Sequence, residues 1–356
     1  MHNAVKFTKE HTLITKGILV LIMLIHHLFT PELVEQYSVN ITMHNHTLFL
    51  YVCSFFKICI SGFAFLTAFG MTHSFNKLST FTPNDYFKVI CKRLTSLMAT
   101  AFAIYALAIL YKRFVIVESI RELYCTDDGF SIIYMFIDLL GLAKYFNTPT
   151  LNVTWWYLTY AILLIVTMPY IYMAYRKYRY LLLPAGCLIA LILPGSATMF
   201  FTLLPSVLLG VAFAYEDWFT KIHISTSNTF IKLIRIGVEV IGLIISYHIY
   251  RTINLMYSYA FAFLIPLLVF ELIYYIPILN TILKFIGKHA TNIFLTHTFI
   301  YYYFYTDYIY SFKKDWLIFL VLTAICLLVS FGIEILKKIT GYNLLIYKIQ
   351  SYFEVN

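Results

Sequence analysis

Charge is scarce in this sequence. Only 12% of its 356 residues are Asp, Glu, Lys or Arg, whereas soluble domains carry about twice that fraction. Hydrophobic residues make up 61% of the chain, and its mean hydropathy is +0.79. An ordinary soluble domain is therefore excluded, and a protein that lies within a membrane is indicated.

The sequence also lacks the patterns of several common enzyme and metal-binding classes. Its six cysteines are scattered and include no Cys-x-x-Cys pair, so neither a disulfide framework nor a zinc site is predicted. The HExxH, GxSxG, P-loop and GxGxxG patterns are absent as well. No linker or large soluble insertion divides residues 1–356, which we interpret as a single membrane domain. Any chemistry must therefore lie in the spans and their short loops.

Long apolar segments recur along the whole chain and predict an all-α fold, a polytopic membrane helical bundle. A helix needs about 20 apolar residues to cross the hydrocarbon core of a bilayer. About ten transmembrane helices are predicted: 13–29, 48–70, 94–111, 155–174, 180–193, 198–215, 231–249, 256–276, 282–305 and 316–336. The apolar segment 132–142 is shorter and contains Asp138, which favours a re-entrant or interfacial helix.

The distribution of Lys and Arg predicts the orientation of these spans. With the N-terminus inside, eighteen of the 26 cationic residues lie in inner segments, seven in outer segments and Lys57 within a span. Cationic residues are enriched on the cytoplasmic side of membrane proteins. Both termini are therefore predicted to be cytoplasmic and the loop 112–154 to lie outside. The net charge of +9 is explained by this bias, and nucleic acid is not expected as a partner.

The first predicted span combines a cation with two adjacent histidines. Lys16 and His27 are eleven residues apart, which on a helix places them on one face about 16 Å apart along the axis. His26 projects about 80° to the side. Ionisable groups inside a membrane span are costly and mark functional sites. Alternatively, Lys16 extends to the cytoplasmic interface and the histidines only bond to neighbouring helices.

Cationic residues also mark the second and third spans. Lys57 and Ser61 are four residues apart and so share a helix face, and a lysine at this depth needs a partner or a watery cavity. Ser61 is followed by Gly62, a pair that also suits close helix packing. Lys88, Lys92 and Arg93 precede the third span, where they either anchor the helix at the membrane surface or bind phosphate groups.

The fourth and ninth spans contain polar residues in distinctive order. Asn152 and the segment 155–158, Trp-Trp-Tyr-Leu, open the fourth span, where aromatic residues are usual interface anchors. The ninth span contains the segment 286–297, Ile-Gly-Lys-His-Ala-Thr-Asn-Ile-Phe-Leu-Thr-His. Within it His289, Asn292 and Thr296 form one stripe, which is also compatible with an inter-helix hydrogen-bond ladder.

Taken in chain order, these segments resemble the membrane acyltransferase-3 family. The resemblance rests on a basic residue and a histidine separated by ten residues in the first span, and on Ser-Gly-Phe at 61–63 in the second. It also rests on the motifs of the fourth span, the Leu-Pro and Gly residues of 204–210, and the Gly-Lys to His block of the ninth span. The chain departs from the family pattern at Ala290 and Phe294, and no proline follows Arg93.

The resemblance implies an integral membrane O-acyltransferase. Such an enzyme transfers an acyl group, usually acetyl, from cytoplasmic acyl-CoA to a hydroxyl of a surface polysaccharide or its lipid-linked precursor. His27 would be the general base and His297 a second catalytic residue. The acetyl-CoA phosphates would bind Lys16, Lys88, Lys92 and Arg93. The expected substrate-binding residues are His26, Lys57, Ser61, Asn152, Trp156, His289 and Asn292.

The implied setting is the cell membrane of a bacterium. The partners would be the lipid bilayer, acyl-CoA, a carbohydrate acceptor and other proteins of polysaccharide biosynthesis, and no metal is expected. The alternatives are a transporter or flippase of a lipid-linked glycan and a membrane polymerase. Two related halves, which many transporters have, are not apparent in the sequence, and no very long outer loop suits a polymerase.

Overall fold

The computed structural model describes residues 6–78, 82–116, 120–126, 129–193, 199–224 and 229–354, and these are mostly helical. The α-helices of the first half of the chain are α1 (Lys9–Leu28), α2 (Pro31–Gln36), α3 (His46–Phe55), α4 (Cys59–Phe75), α5 (Pro83–Tyr111), α6 (Ile120–Leu123), α7 (Ile132–Leu139), α8 (Ala143–Phe146) and α9 (Trp156–Tyr178). Those of the second half are α10 (Leu182–Ile192), α11 (Met199–Thr202), α12 (Leu204–Tyr215), α13 (Trp218–Ile224), α14 (Thr229–Thr252), α15 (Leu255–Ser258), α16 (Leu264–Glu271), α17 (Pro277–Thr298), α18 (Thr306–Ser311), α19 (Asp315–Ile339) and α20 (Tyr342–Ser351).

Shorter elements connect or interrupt these helices. One antiparallel hairpin, of strands β1 (Cys125–Thr126) and β2 (Gly129–Phe130), pairs Cys125 with Phe130. The 3-10 segments are Phe56–Ile58, Val153–Trp155, Arg179–Leu181, Tyr259–Phe263 and Ile273–Tyr275, and the π-helical segments are Lys112–Ile116 and Phe299–Phe304.

Five helical stretches within the described residues are long and apolar enough to cross a membrane. They are Lys9–Leu28, His46–Phe75, Pro83–Ile116, Val153–Ile192 and Asp315–Ile339. Two shorter apolar stretches are Leu204–Tyr215 and Tyr259–Tyr275. The helical membrane character is thus confirmed, while ten spans and cytoplasmic termini remain predictions.

Two of the predicted spans are shorter or more broken than the sequence pattern indicates. Where 180–193 is predicted, α10 contains 11 residues, a length of about 16 Å against about 30 Å of hydrocarbon. Arg179 adopts a left-handed conformation (φ 52°) between α9 and α10, which interrupts the helix there. The predicted span 256–276 is divided into α15, α16 and two 3-10 segments. An apolar run indicates that a segment lies in the membrane, but it does not require the segment to form one continuous helix.

The chain forms two compact units, each built from two remote segments. The first unit contains residues 1–78 and 167–290, and the second contains residues 79–166 and 291–356. Two of the three boundaries fall within α9 and α17, so both helices contribute to each unit. Our assignment of a single domain over 1–356 stays a prediction.

In the first unit, small residues bring helices into backbone contact. A Cβ added at Gly17 of α1 would meet the carbonyl of Leu283 in α17, and one at Gly287 would meet the carbonyl of Leu13. Gly210 of α12 lies against the carbonyl of Phe65 in α4 in the same way. Membrane helices use such positions to approach closely, because van der Waals packing drives their association.

The core of the second unit is aromatic and aliphatic. Trp155, Tyr105 and Phe299 pack with Leu295 and Ile333 in one buried cluster. The terminal helix α20 returns to α5, where the Tyr342 hydroxyl donates to the Ala99 carbonyl (2.8 Å). In this unit α7, which lies in the segment 132–142 predicted to be a re-entrant or interfacial helix, leaves several apolar side chains exposed, among them Phe136.

Candidate active site

The first predicted span is one uninterrupted helix. Thr8 caps α1, and the His11 ring nitrogen Nδ1 lies 3.0 Å from the Thr8 amide nitrogen in a reciprocal capping arrangement. Because α1 is continuous from Lys9 to Leu28, Lys16 and His27 project from nearly the same face, about 16 Å apart along the axis. Both side chains are half-buried.

His26 is held by a backbone carbonyl. Its Nδ1 lies 3.0 Å from the carbonyl oxygen of Cys53 in α3, and since a carbonyl only accepts, Nδ1 must be the protonated nitrogen. The ring centroids of His26 and His27 are 5.1 Å apart, with their planes inclined by 55°. The contact with Cys53 fixes the rotation of His26, and His27 shares a helix face with Lys16.

Lys57 interrupts the second candidate span. It lies in the 3-10 turn Phe56–Ile58, which separates α3 from α4 within the apolar stretch His46–Phe75. Its side chain is half-buried, and its charge acts electrostatically on His26. A 3-10 segment inside a longer helix often marks a functional position. Within the first unit, the structure thus brings His26, His27 and Lys57 to one region beside α1.

The hydroxyl of Ser61 is engaged within the protein. Ser61 and Ser206 are fully buried, and each donates to the carbonyl of Tyr259, at 2.7 Å and 2.6 Å. The hydroxyl oxygens lie 2.5 Å from each other. These three contacts share two hydroxyl protons, so the two serines and the Tyr259 carbonyl form one hydrogen-bonded group. This arrangement ties α4 and α12 to the 3-10 segment Tyr259–Phe263, and the substrate role of Ser61 stays a prediction.

His289 is the remaining predicted site residue of the first unit. It is buried, and its ring packs edge-on against that of Phe285, with centroids 5.2 Å apart. Its role toward substrate likewise stays a prediction.

Three of the four cations predicted to bind phosphate lie on α5 in the second unit. Lys88 is half-buried, while Lys92 and Arg93 are exposed. Lys92 forms an ion pair with Glu354 (3.3 Å), and the side chain of Gln350 donates to its carbonyl. An exposed ion pair of this kind contributes about 0–1 kcal/mol, so a phosphate could displace Glu354 from Lys92 at little cost.

Asn292 contributes to the packing of α17 against α19. Its side-chain nitrogen donates to the Ser330 hydroxyl and to Glu334 Oε1, both at 2.9 Å. The same Glu334 oxygen also accepts a hydrogen bond from Lys337 Nζ at 2.7 Å. Thr296 donates to the Asn292 carbonyl in its own helix. The inter-helix ladder left open by the sequence is therefore realised at Asn292.

A chain of hydrogen bonds links His297 to Asn152. Nδ1 of the fully buried His297 contacts the carbonyls of Phe294 (2.8 Å) and Ile293 (3.1 Å), so it carries a proton. Its other ring nitrogen, Nε2, lies 3.3 Å from the Thr298 hydroxyl, which lies 2.8 Å from that of Thr154. The Thr154 hydroxyl in turn donates to Asn152 Oδ1 at 2.8 Å.

This chain is one proton short when the imidazole is neutral. Its three contacts, from Nε2 to Thr298, from Thr298 to Thr154 and from Thr154 to Asn152, share only two hydroxyl protons. With Nδ1 protonated, Nε2 is a hydrogen-bond acceptor, and the Thr298 proton goes either to it or to the Thr154 hydroxyl. The sequence singled out Asn152 and His297, but their connection through Thr154 and Thr298 was not visible in it.

The second unit also contains a cavity of about 270 Å³ at the end of the loop 112–154. Trp156, a predicted site residue, lines it together with Trp155. The other lining residues are Asp138, Gly141, Ala143, Lys144, Asn147, Thr148, Thr150, Val153 and Thr159. Sequence reasoning missed the polar residues among them. The available signal was the run of turn-forming and polar residues 147–150, Asn-Thr-Pro-Thr, between apolar segments.

Two buried glutamates lie on α14 and α16 of the first unit. Glu271 is buried on α16 and pairs with Arg235 of α14, with N–O distances of 2.5 Å and 2.7 Å. Arg235 also donates to the Ile222 carbonyl. Glu239, one turn further along α14, is buried as well. Their common location identifies a cluster of ionisable side chains between α14 and α16.

Comparison with known proteins places the chain in a family. A family model described as an acyltransferase domain matches residues 14–335, nearly the whole chain. No curated protein and no solved structure matches it. The matched region includes α1 with Lys16 and His27, and α17 with His297. The chain therefore belongs to the acyltransferase-3 family of membrane acyltransferases.

Proposed function

We propose that this membrane acyltransferase transfers an acetyl group from cytoplasmic acetyl-CoA to a hydroxyl of a surface polysaccharide or its lipid-linked precursor. The observation that carries the proposal is the family match over residues 14–335. The cation and histidine on one face of α1 support it, since acyl transfer needs a base and a site for an anionic donor.

In the proposed reaction a sugar hydroxyl attacks the carbonyl carbon of the thioester. His27 takes the hydroxyl proton as the new C–O bond forms. The C–S bond then breaks, and the departing CoA sulfur receives that proton and leaves as the thiol. The product is an O-acetyl ester of the sugar. Lys16, Lys88, Lys92 and Arg93 bind the CoA phosphates through charge-assisted contacts.

His297 has a separate role in the proposal. Its Nε2 lies beside the Thr298 hydroxyl, which in turn contacts that of Thr154, and we propose that these contacts orient the ring as a second catalytic residue. Thr298→Val removes the hydroxyl beside Nε2 at nearly constant volume, and turnover should fall while the protein still accumulates. Thr323→Val is a matched control, because the Thr323 hydroxyl donates to Phe319 in its own helix.

The test of the proposed function uses the purified protein in lipid nanodiscs with isotope-labelled acetyl-CoA. De-O-acetylated surface glycan from the host serves as acceptor. We expect release of free CoA thiol and formation of O-acetyl esters visible by NMR, both abolished in His27→Ala. A host without the gene should lose the same esters from its glycan. A protein that moved the glycan across a bilayer without releasing thiol would contradict the proposal and favour a flippase.

A further inference from the structure

The cavity beside Trp156 has the lining of a carbohydrate site. It forms where α7 ends, at a turn through Gly141 (φ 70°), and it is completed by α8 and the start of α9. Ligand pockets combine an apolar or aromatic wall with a few placed polar groups. Its volume of about 270 Å³ lies near the lower end of the range for ligand pockets, so it accommodates a ligand of the size of a single sugar ring.

The aromatic wall is held in place. The indole N–H of Trp155 donates to the Leu295 carbonyl (3.2 Å), and Trp155 is buried. Trp156 follows directly and remains half-buried, so part of its ring faces the cavity. An aromatic face offers a large apolar surface at small conformational cost. The C–H face of a pyranose ring matches such a surface.

Polar groups with unused hydrogen-bonding capacity lie around this wall. The Thr148 hydroxyl is buried and has no hydrogen-bond partner within the described part of the chain. Leaving such a group unsatisfied is costly, and a ligand hydroxyl would remove that cost. Asn147 adopts a left-handed conformation (φ 53°) and is exposed, as is Lys144. Amide, hydroxyl and ammonium groups together suit the ring of hydroxyls that a sugar presents.

Asp138 is fixed at the inner end of the cavity. Its Oδ2 accepts hydrogen bonds from the Tyr124 hydroxyl (2.6 Å) and from the Leu151 backbone N–H (2.7 Å). Burial raises the pKa of this carboxyl, and these hydrogen bonds oppose the shift. The cavity thus contains one carboxyl and one lysine, a balance that does not favour a polyanion such as CoA. It favours a neutral ligand.

We propose that this cavity binds one neutral pyranose unit of the acceptor glycan, with Trp156 as the stacking surface and Thr148, Asn147 and Lys144 as hydrogen-bonding groups. The inference rests on the proposed function for the identity of the acceptor. Its position in the loop 112–154, which the charge distribution predicts to lie outside, would then place the acceptor at the outer face.

The experiment measures sugar binding separately from acyl transfer. The full protein in nanodiscs is titrated with methyl pyranosides of glucose, galactose, mannose and N-acetylglucosamine, and binding is followed by saturation-transfer NMR. Trp156→Ala should weaken binding about tenfold, the loss expected for one aromatic contact. Trp156→Phe should retain most of it, and Thr148→Val should weaken binding independently if Trp156→Ala fails to fold. Trp316→Ala, at an exposed tryptophan of α19, should have no effect.

Acyl transfer by the same variants separates the two proposals. We expect Trp156→Ala to raise the acceptor KM and leave the acetyl-CoA KM unchanged. Equal pyranoside affinity in wild type and Trp156→Ala, or no binding to wild type, overturns the cavity assignment even where acyl transfer is intact. Sugar binding that depends on Trp156, without any acyl transfer by wild type, supports the cavity and overturns the proposed function.

Discussion

Two adjacent histidines of α1 lie in different surroundings. The ring of His26 is bonded through Nδ1 to the Cys53 carbonyl, which defines its orientation and its tautomer. His27 lies about 100° further around α1, on the face that contains Lys16. A single residue step along a helix therefore separates a structural environment from a candidate catalytic one.

This difference predicts unequal effects of substitution. His27→Ala should lower turnover by about 10²- to 10⁴-fold, the usual contribution of a general base. His26→Ala should lower turnover less and mainly reduce thermal stability, since it removes the bond to α3. O-acetyl transfer and melting temperature are measured on both purified variants. Equal and complete loss of turnover would show that the helix face does not distinguish the two residues.

Lys16 should act on the donor alone. Lys16→Gln is expected to raise the KM for acetyl-CoA and leave the acceptor KM nearly unchanged, because a phosphate contact is electrostatic. Lys16→Arg should retain more activity, since it keeps the charge. Steady-state kinetics with each substrate varied in turn provide the measurement. An unchanged donor KM combined with reduced membrane insertion would instead identify Lys16 as a topological anchor.

Asp138 predicts a dependence of stability on pH. Because burial raises its pKa above the ordinary value, the folded state binds this proton more tightly than the unfolded state. The stabilisation from this tighter proton binding is fully present below the unfolded pKa of about 3.9 and is lost as the pH rises through the folded pKa. Asp138→Asn has no carboxyl to titrate, so its stability should not show this loss at rising pH.

Melting temperatures in nanodiscs, recorded across a pH series, test this expectation. Relative to Asp138→Asn, wild type should become less stable as the pH rises. The exposed Asp307 offers a matched control for the substitution itself, as Asp307→Asn. Wild type that becomes less stable relative to Asp138→Asn as the pH falls would contradict the assignment.

At the scale of elements, the approach of α1 to α17 depends on two glycines. Gly287→Ala should lower the free energy of unfolding by about 1–3 kcal/mol, because its Cβ would meet the Leu13 carbonyl rather than a movable side chain. Gly237→Ala is the matched control: a Cβ there would meet no heavy atom of the described chain within 4 Å. That substitution should be neutral or stabilising by about 0.5–1 kcal/mol.

Chemical unfolding of both variants in detergent gives the comparison. A Gly287→Ala protein as stable as Gly237→Ala would mean that the two helices do not approach through these residues.

Pairing between elements was not available from the sequence. The glutamates of α14, α16 and α19 were visible as ionisable residues in apolar segments, but their partners lie on other helices. Glu271 forms an ion pair with Arg235, which lies 36 positions away in the sequence. Glu334 accepts a hydrogen bond from Asn292, which lies 42 positions away. Such pairs depend on how helices cross and rotate, which hydrophobic periodicity does not specify. By contrast, the capping of α1 by Thr8 and His11 is local and so depends on adjacent residues alone.

At the scale of the whole molecule, the positive-inside bias makes a topological prediction. The native Cys125 is exposed in the loop 112–154, so a membrane-impermeant maleimide should label it in intact cells. A cysteine at position 88, in a Cys125→Ser background, should react only after the cells are permeabilised. Labelling of position 88 in intact cells would invert the orientation and remove the cytoplasmic donor site from α5.

The sequence by itself determined the membrane class and the family. Both depend on composition and on residues close together in the chain: long apolar runs, a cation and a histidine on α1, and ordered motifs that the family match over 14–335 confirms. The tertiary structure decided where apolar segments break, as at Arg179 and Lys57, and how residues of remote segments meet. The chain from His297 to Asn152 and the cavity beside Trp156 arise only when turns and helices pack, because hydrogen bonds and cavities depend on distances in space rather than along the sequence.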